Sequence, residues 1–207
     1  MKIHEGQPVL HGGAPVGAAR AVFVLLHGRG GCAEDMIELG RTFLLPGVAI
    51  VAPQAADGEW YPQRFVVPRA ENEPWLTSAL GVVAALIEGL DPNAPGRERI
   101  LLGGFSQGAC LALEFAASHP RRYAAVAGMS GALIGPLGAQ ANRRGQFAGT
   151  PVLLGCAEHD PHIPLEHVRA SAEIFRTMGA AVTEKVFPGG AHTVFAEEID
   201  WLRGLVL

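Results

Sequence analysis

Five serines and eight histidines occur in this chain of 207 residues, and one serine stands apart by its surroundings. Gly104-Phe105-Ser106-Gln107-Gly108 matches G-x-S-x-G, the pattern in which a serine sits on a sharp strand-to-helix turn with its hydroxyl exposed as a nucleophile. Composition makes the bare match weak, because 27 glycines and five serines would give one by chance about 8% of the time. Context sharpens it. Arg99-Ile100-Leu101-Leu102-Gly103 ahead of the motif is strand-like, and Ala109 to Phe115 behind it is helix-like. Such a turn needs very small residues on both sides of a strained serine, and the helix aims its positive N-terminus at the developing oxyanion. Gly128-Met129-Ser130-Gly131-Ala132 is a near match, but it runs into Leu133-Ile134-Gly135-Pro136, where no helix can follow. Ser130 therefore reads as a structural turn residue.

A serine hydroxyl needs a base, and the base needs an acid to orient it. For a nucleophile on a strand–turn–helix elbow, the chain order is serine, acid, histidine. His4, His11 and His27 precede the motif and His119 follows it closely, while His159, His162 and His167 cluster where the acid is expected. That leaves His192, in Pro188-Gly189-Gly190-Ala191-His192-Thr193, directly after the last expected strand. Its loop lies at the carboxyl ends of the strands, where open α/β sheets assemble their sites. Asp160, at the apex of the loop from Cys156 to Pro164, is the chosen acid, with Glu158 as the alternative; Asp200 comes after His192 and is excluded. The oxyanion needs two backbone donors. One is the N–H of Gln107, and the other is the N–H of Arg29, which Gly28 and Gly30 leave free to turn inward. His27 reads as a structural residue of that turn.

These groups must be carried by a sheet. Ala21–Leu26, Val48–Ala52, Ile100–Gly103, Tyr123–Gly128, Pro151–Gly155 and Val182–Phe187 are short, mostly continuous apolar runs, as expected of strands buried on both faces of a parallel sheet. Weaker runs around Ile3 and Val9–Leu10 predict an N-terminal hairpin. Helical patterns lie between the strands at Ala33–Leu44, Asn72–Leu90 (stopping at Asp91-Pro92), Ser106–His119, a segment with Val168, Ala172, Phe175 and Met178 on one face, and Val194–Arg203. Alternation of this kind predicts an α/β fold with a mostly parallel central sheet flanked by helices. One long connection, Pro53 to Glu71, concentrates Trp60, Tyr61 and Phe65 and is expected to cover a small apolar pocket. Gly131–Gly149 is a surface excursion to which the sequence assigns no role.

Composition narrows the partners. A hydrophobic fraction of 49% with 17% charged residues describes one globular domain over residues 1–207, and no linker or repeat divides it. A net charge of −4 gives no electrostatic reason for a nucleic-acid or anionic-membrane partner. The run Ala21–Leu26 stops at His27, far short of the roughly 20 apolar residues of a membrane span. Three scattered cysteines, Cys32, Cys110 and Cys156, fit a reduced, cytoplasmic compartment. No Cys, His or Asp cluster has metal-ligand spacing, and no glycine run opens a helix as a dinucleotide site would.

Taken together, LLHGRGG (25–31), GGFSQGA (103–109), GCAEHDPHIP (155–164) and PGGAH (188–192) resemble the phospholipase/carboxylesterase family of small α/β-hydrolases. That family includes bacterial carboxylesterases and acyl-protein thioesterases, and the likeness spans nearly the whole chain. It implies an α/β-hydrolase fold without a large cap domain and a triad of Ser106, Asp160 and His192. It also implies an oxyanion hole from the amides of Arg29 and Gln107, a small-molecule ester or thioester substrate, and no cofactor. Arg29 stands where many members carry Leu, which speaks against a long acyl chain, and the loop with Trp60-Tyr61-Pro62 differs from the thioesterase branch. Cleavage of a lactone or C–C bond in a small ring-derived metabolite would use the same triad, and a ligand-binding protein on a retired scaffold is the third reading. Homodimerisation stays open.

Overall fold

Positions that alternate along the strands face two different apolar layers, and this explains why the strands read as unbroken apolar runs. The computed structural model describes residues 2–43, 46–90, 99–139 and 142–205. Among these, seven strands form one sheet: β1 (Val9–Gly13), β2 (Ala21–Leu26), β3 (Val48–Pro53), β4 (Ile100–Phe105), β5 (Ala125–Met129), β6 (Pro151–Ala157) and β7 (Ala181–Phe187). Their order is β1-β3-β2-β4-β5-β6-β7, with β1 antiparallel to β3 and every other pairing parallel. Five helices cover the faces: α1 (Ala33–Thr42), α2 (Trp75–Gly89), α3 (Gln107–Ser118), α4 (Leu165–Thr177) and α5 (Ala196–Arg203). In β2, Val22, Val24 and Leu26 join the core under α2, α3 and α4, while Ala21, Phe23 and Leu25 join the core under α1 and α5. α3 packs along β4 and β5 at the centre of the sheet and is buried almost all round, so its apolar circumference has a partner on each side.

Several boundaries differ from expectation for identifiable reasons. There is no N-terminal hairpin: Val9–Gly13 pairs with β3 from Val9↔Pro53 to Gly13↔Ala49, whereas the Ile3 and His4 amides donate to Ser78 Oγ at 2.8 and 3.1 Å. The segment expected to be helical from Asn72 begins only at Trp75. Pro74 forces Glu73 into an extended conformation, and Arg69–Asn72 makes a separate 3-10 turn. β5 begins at Ala125 rather than Tyr123, whose N–H goes to Thr150 Oγ1 instead. α5 begins at Ala196, two residues later than expected, because Glu198 reaches back to the Phe195 N–H. Leu44 and the expected stop at Asp91-Pro92 lie outside the described residues.

Candidate active site

Ser106 links β4 directly to α3 with φ 54° and ψ −118°, a left-handed backbone conformation that costs a non-glycine residue energy. The turn survives because the surroundings admit nothing larger than glycine on either side. A Cβ on Gly104 would lie 2.6 Å from Leu26 O, and one on Gly108 would lie 2.1 Å from the same carbonyl. β2 and β4, paired from Val22↔Ile100 to Leu26↔Gly104, thus grip the turn from one side. The Ser106 N–H donates to Met129 O at 3.0 Å on the other.

Two loops at the carboxyl ends of β6 and β7 bring the remaining groups to Ser106. His192 Nε2 lies 2.8 Å from Ser106 Oγ, and His192 Nδ1 lies 2.7 Å from Asp160 Oδ2. Asp160 is buried, and its other oxygen accepts the amides of His162 and Ile163 at 2.8 and 3.0 Å. The carboxylate therefore has little freedom to rotate away from the imidazole. Glu158 is exposed on the same loop, with its N–H given to Phe187 O, and does not share this arrangement. The His192 ring packs between those of Phe105 and His162, at centroid distances of 4.9 and 4.7 Å. Its loop is pinned by Ser130 Oγ, which donates to Thr193 O at 3.1 Å. Glu198 pins it further along: it is fully buried, accepts the Phe195 N–H at 2.8 Å, and is pushed by burial up to about 8.

The turn after β2 lies against Ser106: a Cβ on Gly28 would be 3.4 Å from Ser106 Cβ. Among the described residues, no acceptor takes the N–H of Arg29 or of Gln107. His27 holds the Arg29 turn from beneath. Its Nδ1–H donates to Gly28 O at 2.8 Å, and its Nε2 accepts the Ala55 N–H at 3.0 Å. His4 does the same one residue on, accepting the Ala56 N–H and donating to Trp60 O. Burial lowers both imidazoles below their ordinary value and keeps them neutral acceptors. The Arg29 side chain turns to the aromatic loop. Its guanidinium pairs with Glu59 and donates to Tyr61 O and Gln63 O at 2.8 and 2.9 Å, fastening the aromatic loop.

That loop is a wall, though not with all the residues expected. Tyr61 and Phe65 line a cavity of about 380 Å³ in front of Ser106, together with Gln63, Arg64, His162 and Ile163. Trp60 does not line it. Its indole is fully buried and donates to His27 O at 2.9 Å, and its backbone N–H goes to Gln107 Oε1. Gln107 Nε2 donates in turn to Tyr61 O at 2.7 Å, so one side chain couples the loop to the Ser106 turn.

Sequence reasoning passed over Glu114, Asn72, Glu198 and the 131–149 segment. Glu114 is fully buried on α3, where its carboxylate pairs with Arg69 of the aromatic loop and Arg143 of the excursion. Gly135 of that excursion donates to Phe65 O at 2.7 Å and so braces the pocket wall at Phe65. A lone glutamate in the apolar run Leu111–Ala117 was the available signal, since such a residue stays buried only when paired. Cys110 and Cys156 are buried thiols pushed up to about 12, chiefly by desolvation, and Cys32 is partly exposed. No helix among the described residues is long and apolar enough to cross a membrane.

A mostly parallel sheet with an antiparallel first strand, a left-handed serine between β4 and α3 and a histidine after the last strand define an α/β-hydrolase fold. The family model for phospholipase/carboxylesterase proteins matches residues 13–204, and the chain belongs to that family. The crystal structure of a phospholipase/carboxylesterase from Dyadobacter fermentans is 39% identical, with a TM-score of 0.92 over 98% of this chain and 97% of that one. Acyl-protein thioesterase 1 of Schizosaccharomyces pombe is 26% identical over 88% of each chain. The match to acyl-protein thioesterase 1 of Gibberella zeae is 34% identical over 112 residues, so the chain spans about half of that relative (45%) with 50% of its own length. Family and relatives together support a hydrolase of the esterase and thioesterase class.

Proposed function

We propose that this chain hydrolyses compact carboxylic esters, with thioesters as a related substrate, through a covalent acyl-enzyme on Ser106. The observation that carries the reading is the continuous contact Ser106 Oγ–His192 Nε2 and His192 Nδ1–Asp160 Oδ2, at 2.8 and 2.7 Å. His192 takes the Ser106 proton as Oγ bonds to the substrate carbonyl carbon. The free amides of Arg29 and Gln107 hold the resulting oxyanion. His192 then gives that proton to the leaving alcohol or thiol as the C–O or C–S bond breaks. Water, deprotonated by the same imidazole, releases the acid and restores Ser106. Asp160, holding His192 Nδ1, fixes the imidazole tautomer. No step calls for a cofactor. A cavity of about 380 Å³ walled by Tyr61 and Phe65 supports short or medium acyl groups or small aromatic esters over long fatty chains.

Fluorophosphonate labelling tests the assignment. Peptide mapping is expected to find the adduct on Ser106, with labelling lost in Ser106→Ala. Asp160→Asn slows it strongly, whereas Glu158→Gln does not. An adduct that maps to Ser130, or a larger effect of Glu158→Gln, would overturn these roles.

A further inference from the structure

The charged side chains that line the cavity are of one sign: Arg29 and Arg64, with no aspartate or glutamate among the lining residues, in a chain whose net charge is −4. The two arginines differ in what they have left to give. The Arg29 guanidinium is spent on Glu59 and two carbonyls. Arg64 uses one Nη2 hydrogen on His162 O at 3.1 Å, and no acceptor among the described residues takes its Nε or Nη1 hydrogens. That bond carries it across the mouth to the loop of Asp160, beside the ring that packs on His192.

Its backbone is held as well. Asn72, fully buried, accepts the Gln63 N–H at 2.8 Å and donates to Arg64 O at 3.3 Å, clamping the chain on both sides of the Arg64 Cα. A rigid backbone presenting a half-used guanidinium, with no carboxylate among the described residues to meet it, is built to receive one from outside. Arginine's planar fork matches a carboxylate in a bidentate pair.

We propose that Arg64 binds a free carboxylate on the substrate, so that the chain acts on acidic esters in preference to neutral esters of the same shape. The proposal rests on the Ser106 hydrolase reading and names the substrate class of that site. The carboxylate can sit on the acyl side, as in a half-ester of a dicarboxylic acid, or on the leaving group, as in an ester of a hydroxybenzoate. The chemistry at Arg64 is the same for both.

The test compares kcat/KM within two matched pairs, using the full chain. The acyl-side pair is 4-nitrophenyl adipate monoester and its terminal carboxamide; the leaving-group pair is 4-acetoxybenzoate and 4-acetoxybenzamide. In at least one pair the acid is expected to be preferred about tenfold or more, the size of a partly exposed charge-assisted contact, and chiefly through KM. Arg64→Gln brings that ratio close to one, Arg64→Lys keeps part of it, and raised ionic strength lowers it in the unmodified chain. A ratio near one in both pairs overturns the proposal, as does a preference that survives Arg64→Gln. Turnover of the carboxamides with labelling of Ser106 shows that such a failure belongs to Arg64 alone. No turnover of any of the four substrates overturns the hydrolase reading with it.

Discussion

Ser106 and Ser130 end neighbouring parallel strands with nearly the same positive φ, 54° and 52°. Each gives its N–H to the next strand along, Ser106 to Met129 O and Ser130 to Gly155 O. Both have a glycine at −2 and another within two residues on the C-terminal side. The chain beyond each serine separates them. After Ser106 it enters α3 at once, which leaves the Gln107 amide free and turns the hydroxyl toward His192. After Ser130 it enters the irregular excursion, and the fully buried hydroxyl is consumed on Thr193 O. Backbone strain thus does not make a reactive serine. In the proposed mechanism an adjoining helix and a histidine within hydrogen-bond reach do, and the second serine serves the first by holding the histidine loop.

The largest effect should separate the two hydroxyls. Ser106→Ala is expected to lower kcat by about 10⁶-fold, the scale for loss of a triad nucleophile. Ser130→Ala is expected to keep kcat within about tenfold while costing about 1–3 kcal/mol of stability, because Thr193 O loses its donor. Steady-state kinetics on p-nitrophenyl acetate and urea melts of both variants decide it, and equal losses of kcat would erase the distinction.

A second contrast uses the glycines. A Cβ on Gly108 meets the Leu26 carbonyl at 2.1 Å, which is backbone and cannot yield, whereas one on Gly128 meets Leu113 Cδ1 at 2.6 Å, the end of a side chain that can. Gly108→Ala should therefore reach or exceed the upper end of the about 1–3 kcal/mol typical of overpacking, and Gly128→Ala should fall near the lower end. Urea midpoints in the reverse order would mean the turn at Ser106 is held by something other than β2.

A third contrast is a pH dependence beside Ser130. Glu198 Oε1 is buried without a partner among the described residues and lies where a Cβ on Gly155 would be, 1.9 Å away. Burial raises this carboxyl from 4.5 to about 8. The folded state then keeps a proton that the unfolded state releases, so this stabilising contribution is complete below about 4.5 and is lost as the pH rises through about 8. Glu198→Gln removes the loss. Its stability relative to the unmodified chain should rise between pH 5 and pH 9, roughly the span those two values bracket. Denaturation midpoints that stay parallel across that range would refute it.

The sheet was legible because parallel strands buried on both faces leave unbroken apolar runs. The order serine, acid, histidine was enough to name three groups that the fold brings within hydrogen-bond distance. The polar scaffold was not legible. His4 accepting from Ala56, Arg143 reaching Glu114 and Gln107 bridging Trp60 and Tyr61 join positions 52, 29 and 47 residues apart at most, and no periodicity marks such pairs. Trp60 shows the cost. An aromatic in a long loop reads as pocket wall, yet its indole is needed to satisfy His27 O in the core. Arg29 shows the converse, since it borders the same cavity as Ser106 while its guanidinium serves the loop.

The Glu114 carboxylate has a consequence for how this scaffold can diversify. It joins Arg69 and Arg143, from two excursions that also meet where the Gly135 N–H donates to Phe65 O, to one helix behind the sheet's centre. A loop exchange that replaced both segments without supplying their arginines would leave the Glu114 charge unpaired in an apolar interior, at a cost of several kcal/mol. The two segments are therefore a single inheritable cassette. Pocket walls in this lineage should be replaced in blocks that carry their own counter-charges, and stepwise recombination across α3 should be selected against.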